Sequence, residues 1–163
     1  GSTMATYAGQ NTGAGRMDRI GEGIKAGIFM GSVYSIIALI LTYLFSNQIA
    51  LLFVDQAETA IMSDIRMFLI GNGLFYIPLT LVNTIRYLIQ GMGFSKFALL
   101  AGVFEMIARA VAGFMLVPKF GFIAACLASP LAWIMADIFL VPAYFYAVKK
   151  MSKTFKKTEP VFQ

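Results

Sequence analysis

The 163-residue sequence contains no histidine. That removes the usual general base, the commonest metal ligand and the Ser–His and Cys–His nucleophile pairs. One cysteine is present, Cys126, set in an apolar stretch. The chain therefore builds neither a disulfide framework nor a thiolate metal site. Charge is also scarce: Asp, Glu, Lys and Arg make up 13% of the residues, against roughly 25% in a soluble domain. The glycine pairs Gly71-Asn72-Gly73 and Gly13-Ala14-Gly15 lack the strand–turn–helix setting of a phosphate-binding loop. With no nucleophile–base pair, metal set or nucleotide loop, the chain is not expected to be an enzyme, and no cofactor is expected. A removable signal peptide is not visible either, because residues 1–15 are small and polar rather than basic and then apolar.

What is present is apolar. Hydrophobic residues make up 59% of the chain, and mean hydropathy is +0.77. A domain of this size in water needs polar cover that this composition does not supply, so lipid is the matching solvent. Ala26 to Val54 is a charge-free run of 29 residues, where about 20 suffice to cross a bilayer. The expected fold is all-α and integral to the membrane. It is a four-helix antiparallel bundle with spans over about 17–45, 63–90, 95–117 and 121–150 in a single domain. Ser63 and Ser95 are the predicted N-caps, and Gly91-Met92-Gly93 is a predicted stop signal. Residues 48–54 read as a short interfacial helix, and Asp55 to Thr59 as a polar connection.

Basic residues predict the orientation. Arg16, Arg19, Lys25, Arg86, Lys96, Lys149, Lys150, Lys153, Lys156 and Lys157 fall on one side if the spans alternate. Only Arg66 and Lys119 fall on the other. Both termini are therefore expected in the cytoplasm. The net charge of +5 is concentrated in a basic tail over 151–163 and the residues just before it. That tail lacks interleaved aromatics, so it reads as facing anionic lipid, and no nucleic-acid partner is expected.

Small residues recur every four positions at Gly23, Gly27, Gly31 and Ser35, and again at Ala128, Ala132 and Ala136. Such stripes let a neighbouring helix approach closely. Pro78, Pro130 and Pro142 each deprive the carbonyl four residues back of its donor, at Leu74, Cys126 and Ile138. Bends are predicted at Pro78 and Pro130, and the freed carbonyls need other partners in lipid.

Glu105, Arg109 and Asp137 lie well inside apolar segments. A charge at mid-bilayer costs about 2.5–3.5 kcal/mol, so the three are expected to meet in a cluster facing protein. Glu105 precedes Arg109 by four residues, the favourable order on a helix. The cluster reads either as a polar track for substrate or ion, or as a buried network fixing the helix pair. Asn72 and Asn83 pair across helices or line a water-filled path. Tyr76 and Trp133 either contact an organic substrate or simply pack.

The stretch Tyr7-Ala8-Gly9-Gln10-Asn11-Thr12-Gly13-Ala14-Gly15-Arg16 resembles the GQN-x-GAG cytoplasmic loop of the MATE (multidrug and toxic compound extrusion) transporters. Arg86 to Gly93, Glu105 to Arg109, Pro118 to Gly121 and Ser129 to Trp133 resemble, in order, later parts of bacterial members. The resemblance implies the C-terminal part of the second of two six-helix repeats. Residues 1–8 would end a preceding helix, 9–16 would be the cytoplasmic loop carrying Gly9, Gln10, Asn11, Gly13, Ala14 and Gly15, and the four spans would follow. It implies a multi-pass protein of the bacterial inner membrane. It also implies export of drugs or metabolites by alternating access, driven by Na+ or H+, with the remaining helices of the transporter as partners. The balanced to slightly acidic set of interior charges leans toward small organic, cationic substrates. A lipid-linked sugar flippase of the same superfamily and a non-transporting scaffold subunit are the alternatives.

Overall fold

The computed structural model describes residues 1–54 and 59–158. Among them every regular element is helical: α1 (Ser2–Gly13), α2 (Met17–Leu51), α3 (Thr59–Gly73), α4 (Tyr76–Gly91), α5 (Ser95–Val111), a π-helical turn (Ala112–Leu116), α6 (Val117–Phe120) and α7 (Phe122–Thr158). Three helical stretches are long and apolar enough to cross a membrane: Met17–Leu51, Ser95–Phe120 and Phe122–Phe155. The pair α3–α4 qualifies as a fourth span if counted together across its 49° bend.

Several expected boundaries shift for identifiable reasons. α1 continues through Gly9, Gln10, Asn11 and Gly13, so the loop expected over 9–16 shortens to three residues. Gly15 ends that helix with φ +70. Its N–H returns to Thr12 O at 3.0 Å, and the Arg16 N–H to Asn11 O at 2.8 Å. This is the paired bonding of a Schellman C-cap, which a left-handed glycine permits. Gly93, with φ +90, ends α4 in the same way, with the Phe94 N–H on Ile89 O at 3.1 Å. The first span runs to Leu51, so no separate interfacial helix starts at Gln48. Apolar sequence without a breaker simply continues the helix. Residues 55–58 of the expected polar connection lie outside the described residues.

Neither serine caps as predicted. α3 already starts at Thr59, which puts Ser63 inside the helix, and the N-cap of α5 is Phe94. The second span is two helices rather than one. It breaks at Leu74-Phe75, and Pro78 sits in the first turn of α4 without an N–H for Leu74 O. The third span passes its expected end at Val117 and reaches Phe120. Pro118 is accommodated by the preceding π turn, whose wider ring loosens the backbone where a proline would strain an α-helix. Gly121, with φ +60, then ends the span. The fourth helix runs through Thr158, so the expected tail is helical as far as it is described.

α4 is the centre of the bundle and packs on α1, α2, α5 and α7. Its buried face, Val82, Ile85, Leu88 and Ile89, meets Ala8, Ile20, Ile24, Ala101 and a small-residue face of α7 that includes Ala136, Ala143 and Ala147. The glycine stripe of α2 serves close packing. A Cβ on Gly23 would collide with the Tyr7 ring, one on Gly27 would reach Met4 and Thr84, and one on Gly31 would collide with Thr80. α1 and α4 cross closer still, since a Cβ on Gly91 would run into the backbone carbonyl of Ala5. By contrast, α2 leaves Phe29, Tyr34 and Leu44 among many large apolar side chains exposed.

Candidate functional site

Two features gather the polar groups of the bundle. The first is a cleft of about 620 Å³ between α1, α2 and α4. The face of α4 toward it carries Tyr76, Thr80, Asn83 and Thr84, and α2 contributes Met30, Tyr34 and Ser35. Ser35 Oγ lies 2.8 Å from Thr80 Oγ1 and 3.1 Å from Tyr76 O. That contact pins the two helices at one end of the cleft. Asn83, which lines the cleft, donates from its side-chain amide to Leu79 O at 2.9 Å. Among the described residues, no charged side chain lines this cleft.

The second feature is a charge cluster between α4, α5 and α7. Glu105, whose side chain is 12% exposed, forms an ion pair through Oε1 with the Arg86 guanidinium. Its other oxygen lies 3.5 Å from Arg109, one turn along α5. Arg109 itself is 47% exposed. Asp137 lies within electrostatic reach of Glu105 and Arg86. Its Oδ1 is buried without a hydrogen-bond partner, and so is Arg86 Nε.

The expected Glu105–Arg109–Asp137 cluster is therefore recomposed. The closest base is Arg86, expected from the sequence to flank the loop between the second and third spans on the cytoplasmic side. Its long side chain turns into the bundle instead of toward the membrane surface. The signal for this was its position inside the apolar run of α4, five residues before Gly91. Asp137 makes no ion pair with either neighbour.

Asn83 and Tyr76 reach the cleft. Asn72 does not: its amide donates to Phe68 O at 2.9 Å and to Cys126 O at 3.3 Å. Cys126 O is the carbonyl that Pro130 deprives of a donor, so Asn72 supplies the missing bond from a neighbouring helix. Trp133 packs against the hydrophobic core, away from the cleft. Ser35 and Tyr34 are cleft residues that carry no polar-site signal in the sequence, whereas Thr80 and Thr84 stand out there as uncharged polar residues of the second span. Ser35 was visible only as the end of the small-residue stripe.

The family model for MatE matches residues 1–115 of the chain. The chain belongs to the MatE family. A relative, "Probable multidrug resistance protein YoeA" of Bacillus subtilis (strain 168), is 36% identical over 59 residues. The match covers 36% of this chain and 13% of that relative's length. No solved structure matches the chain.

The MatE loop motif can now be read physically. Gly9 packs toward Gly91 O of α4. Asn11 donates from its side chain to Tyr7 O at 2.8 Å and accepts the Arg16 N–H on its backbone carbonyl. Gly15 supplies the left-handed cap. Tyr7 OH donates to Arg19 O at 2.8 Å and ties α1 to the start of α2. In this MatE chain the motif is a helix-crossing and helix-ending device. Gln10 is exposed, and Gly13 has open space around it.

Proposed function

We propose that this chain forms part of the second lobe of a cation-coupled multidrug antiporter that exports organic cations by alternating access. MatE membership supports the transport reading. The single observation that carries the substrate class is the cleft: two tyrosines, methionines and neutral hydrogen-bonding groups with no base among them. Aromatic faces attract an organic cation, and the absence of lysine or arginine spares it repulsion. A lipid-linked sugar flippase would favour basic groups for a phosphate headgroup, which this cleft lacks.

In this reading the protein sits in the bacterial inner membrane with both ends of the chain in the cytoplasm. The other helices of the transporter are its structural partners, and Na+ or H+ is the coupling ion. The bend between α3 and α4 supplies a joint at which the two halves of the second span can change their angle.

The test uses the complete transporter in liposomes loaded with a cationic dye. Efflux is expected to follow an imposed H+ or Na+ gradient, and Tyr76→Ala is expected to weaken dye binding. Efflux indifferent to both gradients would refute the antiport reading.

A further inference from the structure

Two buried atoms in the charge cluster lack hydrogen-bond partners, and they are complementary. Arg86 Nε is a donor and Asp137 Oδ1 is an acceptor. They belong to α4 and α7, which pack directly on one another. The charged groups acting on Asp137 are Arg86 from α4 and Glu105 from α5. Arg109 adds to the cluster through Glu105. On α7 itself the next charged residue toward the C-terminal end is Lys149, three turns away.

A buried polar atom normally finds a partner, and an orphan demands a reason. One orphan could be a packing compromise. A donor and an acceptor of opposite charge, both orphaned on directly packed helices and within electrostatic reach of one another, describe a bond that belongs to a different arrangement of the same groups.

We propose that Asp137 is a proton-binding site and that Arg86 is the cation that replaces the proton. With the proton bound, Asp137 is neutral and Arg86 pairs with Glu105, the arrangement seen here. When the proton leaves to water, Arg86 turns from Glu105 and donates to the Asp137 carboxylate. Glu105 is not stranded, because Arg109, its second and looser partner, closes on it.

The charges balance in both states. The four groups carry one net positive charge with the proton bound and none after its release. This assigns a purpose to Arg109, whose 3.5 Å contact adds little while Arg86 is in place. Arg86 lies three residues after cleft-lining Asn83 on the same helix. Its change of partner therefore takes place within one turn of the cleft wall. This deepens the cation-coupled reading, on which it rests for its purpose but not for its test.

The test is infrared difference spectroscopy of the complete transporter in phosphatidylcholine nanodiscs, taken across a pH titration. A protonated-carboxyl band is expected to grow as pH falls, to vanish in Asp137→Asn and to persist in Glu105→Gln. In Arg86→Gln the midpoint is expected to move to higher pH by about one unit or more, because the competing cation is gone. In Glu105→Gln it is expected to move to lower pH, because Arg86 is released to Asp137. Should Arg86→Gln fail to fold, Glu105→Gln decides alone. A band that survives in Asp137→Asn, or midpoints unmoved in the other variants, overturns the proposal. Dye efflux read in parallel separates the two readings. A normal band without gradient-driven efflux defeats the antiport reading and leaves the site standing, while gradient-driven efflux without the band defeats the site alone.

Discussion

Asn72→Leu removes the donor that reaches Cys126 O, 54 residues away in sequence. Leucine keeps the volume and apolarity, so the loss is confined to hydrogen bonding. In an ordinary helix Cys126 O would fall back on the N–H four residues on, but here that position is Pro130, which has none. Asn72 is 8% exposed, so water does not readily replace it. An interhelical hydrogen bond in a membrane protein averages about 0.6 kcal/mol, whereas a buried polar group left without a partner costs about 1–3 kcal/mol. The second case applies, and Asn72→Leu should destabilise the bundle by about 1–3 kcal/mol. Repeating the substitution in a Pro130→Ala background restores a backbone donor for Cys126 O. The cost should then drop to the first figure or below, a coupling of about 1 kcal/mol. Reversible unfolding of the complete protein in detergent, measured for all four members of the cycle, reads this directly. Additive costs would mean that Asn72 does not serve the carbonyl Pro130 frees, and the reasoning fails.

Other consequences are as concrete. Glu105→Gln should destabilise by about 1–3 kcal/mol, less than a stranded charge would cost, because the partly buried Arg86 can turn to Asp137. Arg109→Gln, on a half-exposed base, should cost under about 1 kcal/mol; equal losses in thermal melts would contradict the pairing described. Gly91→Ala forces a methyl against the Ala5 carbonyl and should cost at least about 1–3 kcal/mol, or abolish folding, as seen by size-exclusion chromatography. Gly15→Ala, at φ +70, should cost about 1–2 kcal/mol. Gly13→Ala, helical with open space around it, should be neutral or stabilising, and reversed melting shifts would contradict the cap assignment.

The spans announce themselves because hydrocarbon enforces one rule over long stretches, and a charge-free run such as Ala26 to Val54 leaves no alternative to helix. The glycine stripe of α2 is equally legible, since Gly23, Gly27 and Gly31 share a face that nothing but close packing explains. Element ends are less so. Asn11 and Gly15 look like a loop signature, yet only one residue needs the left-handed conformation, and the helix runs almost up to it. The freed carbonyl at Cys126 is readable from Pro130, but Asn72 as its donor is not, because the pairing joins positions whose alignment only the fold sets. The partner of Arg86 is hidden for a related reason. A base five residues inside a span can reach either the membrane surface or an interior acid, and the choice depends on Glu105 lying across from it. The cleft is the least legible feature, since Thr80 shows only as a polar residue in an apolar span and Ser35 only as the end of a small-residue stripe, and their meeting is set by the fold.

The π turn at Ala112–Leu116 fits one surplus residue into a helix that otherwise continues. Each residue advances an α-helix by about 100°, so everything beyond the turn, including Lys119, is rotated by that amount relative to the face carrying Glu105. Removing one residue there would straighten the rod and swing the whole distal end to a new bearing. The far half of this span is thus aimed independently of the near half, and a single-codon deletion is enough to re-aim it.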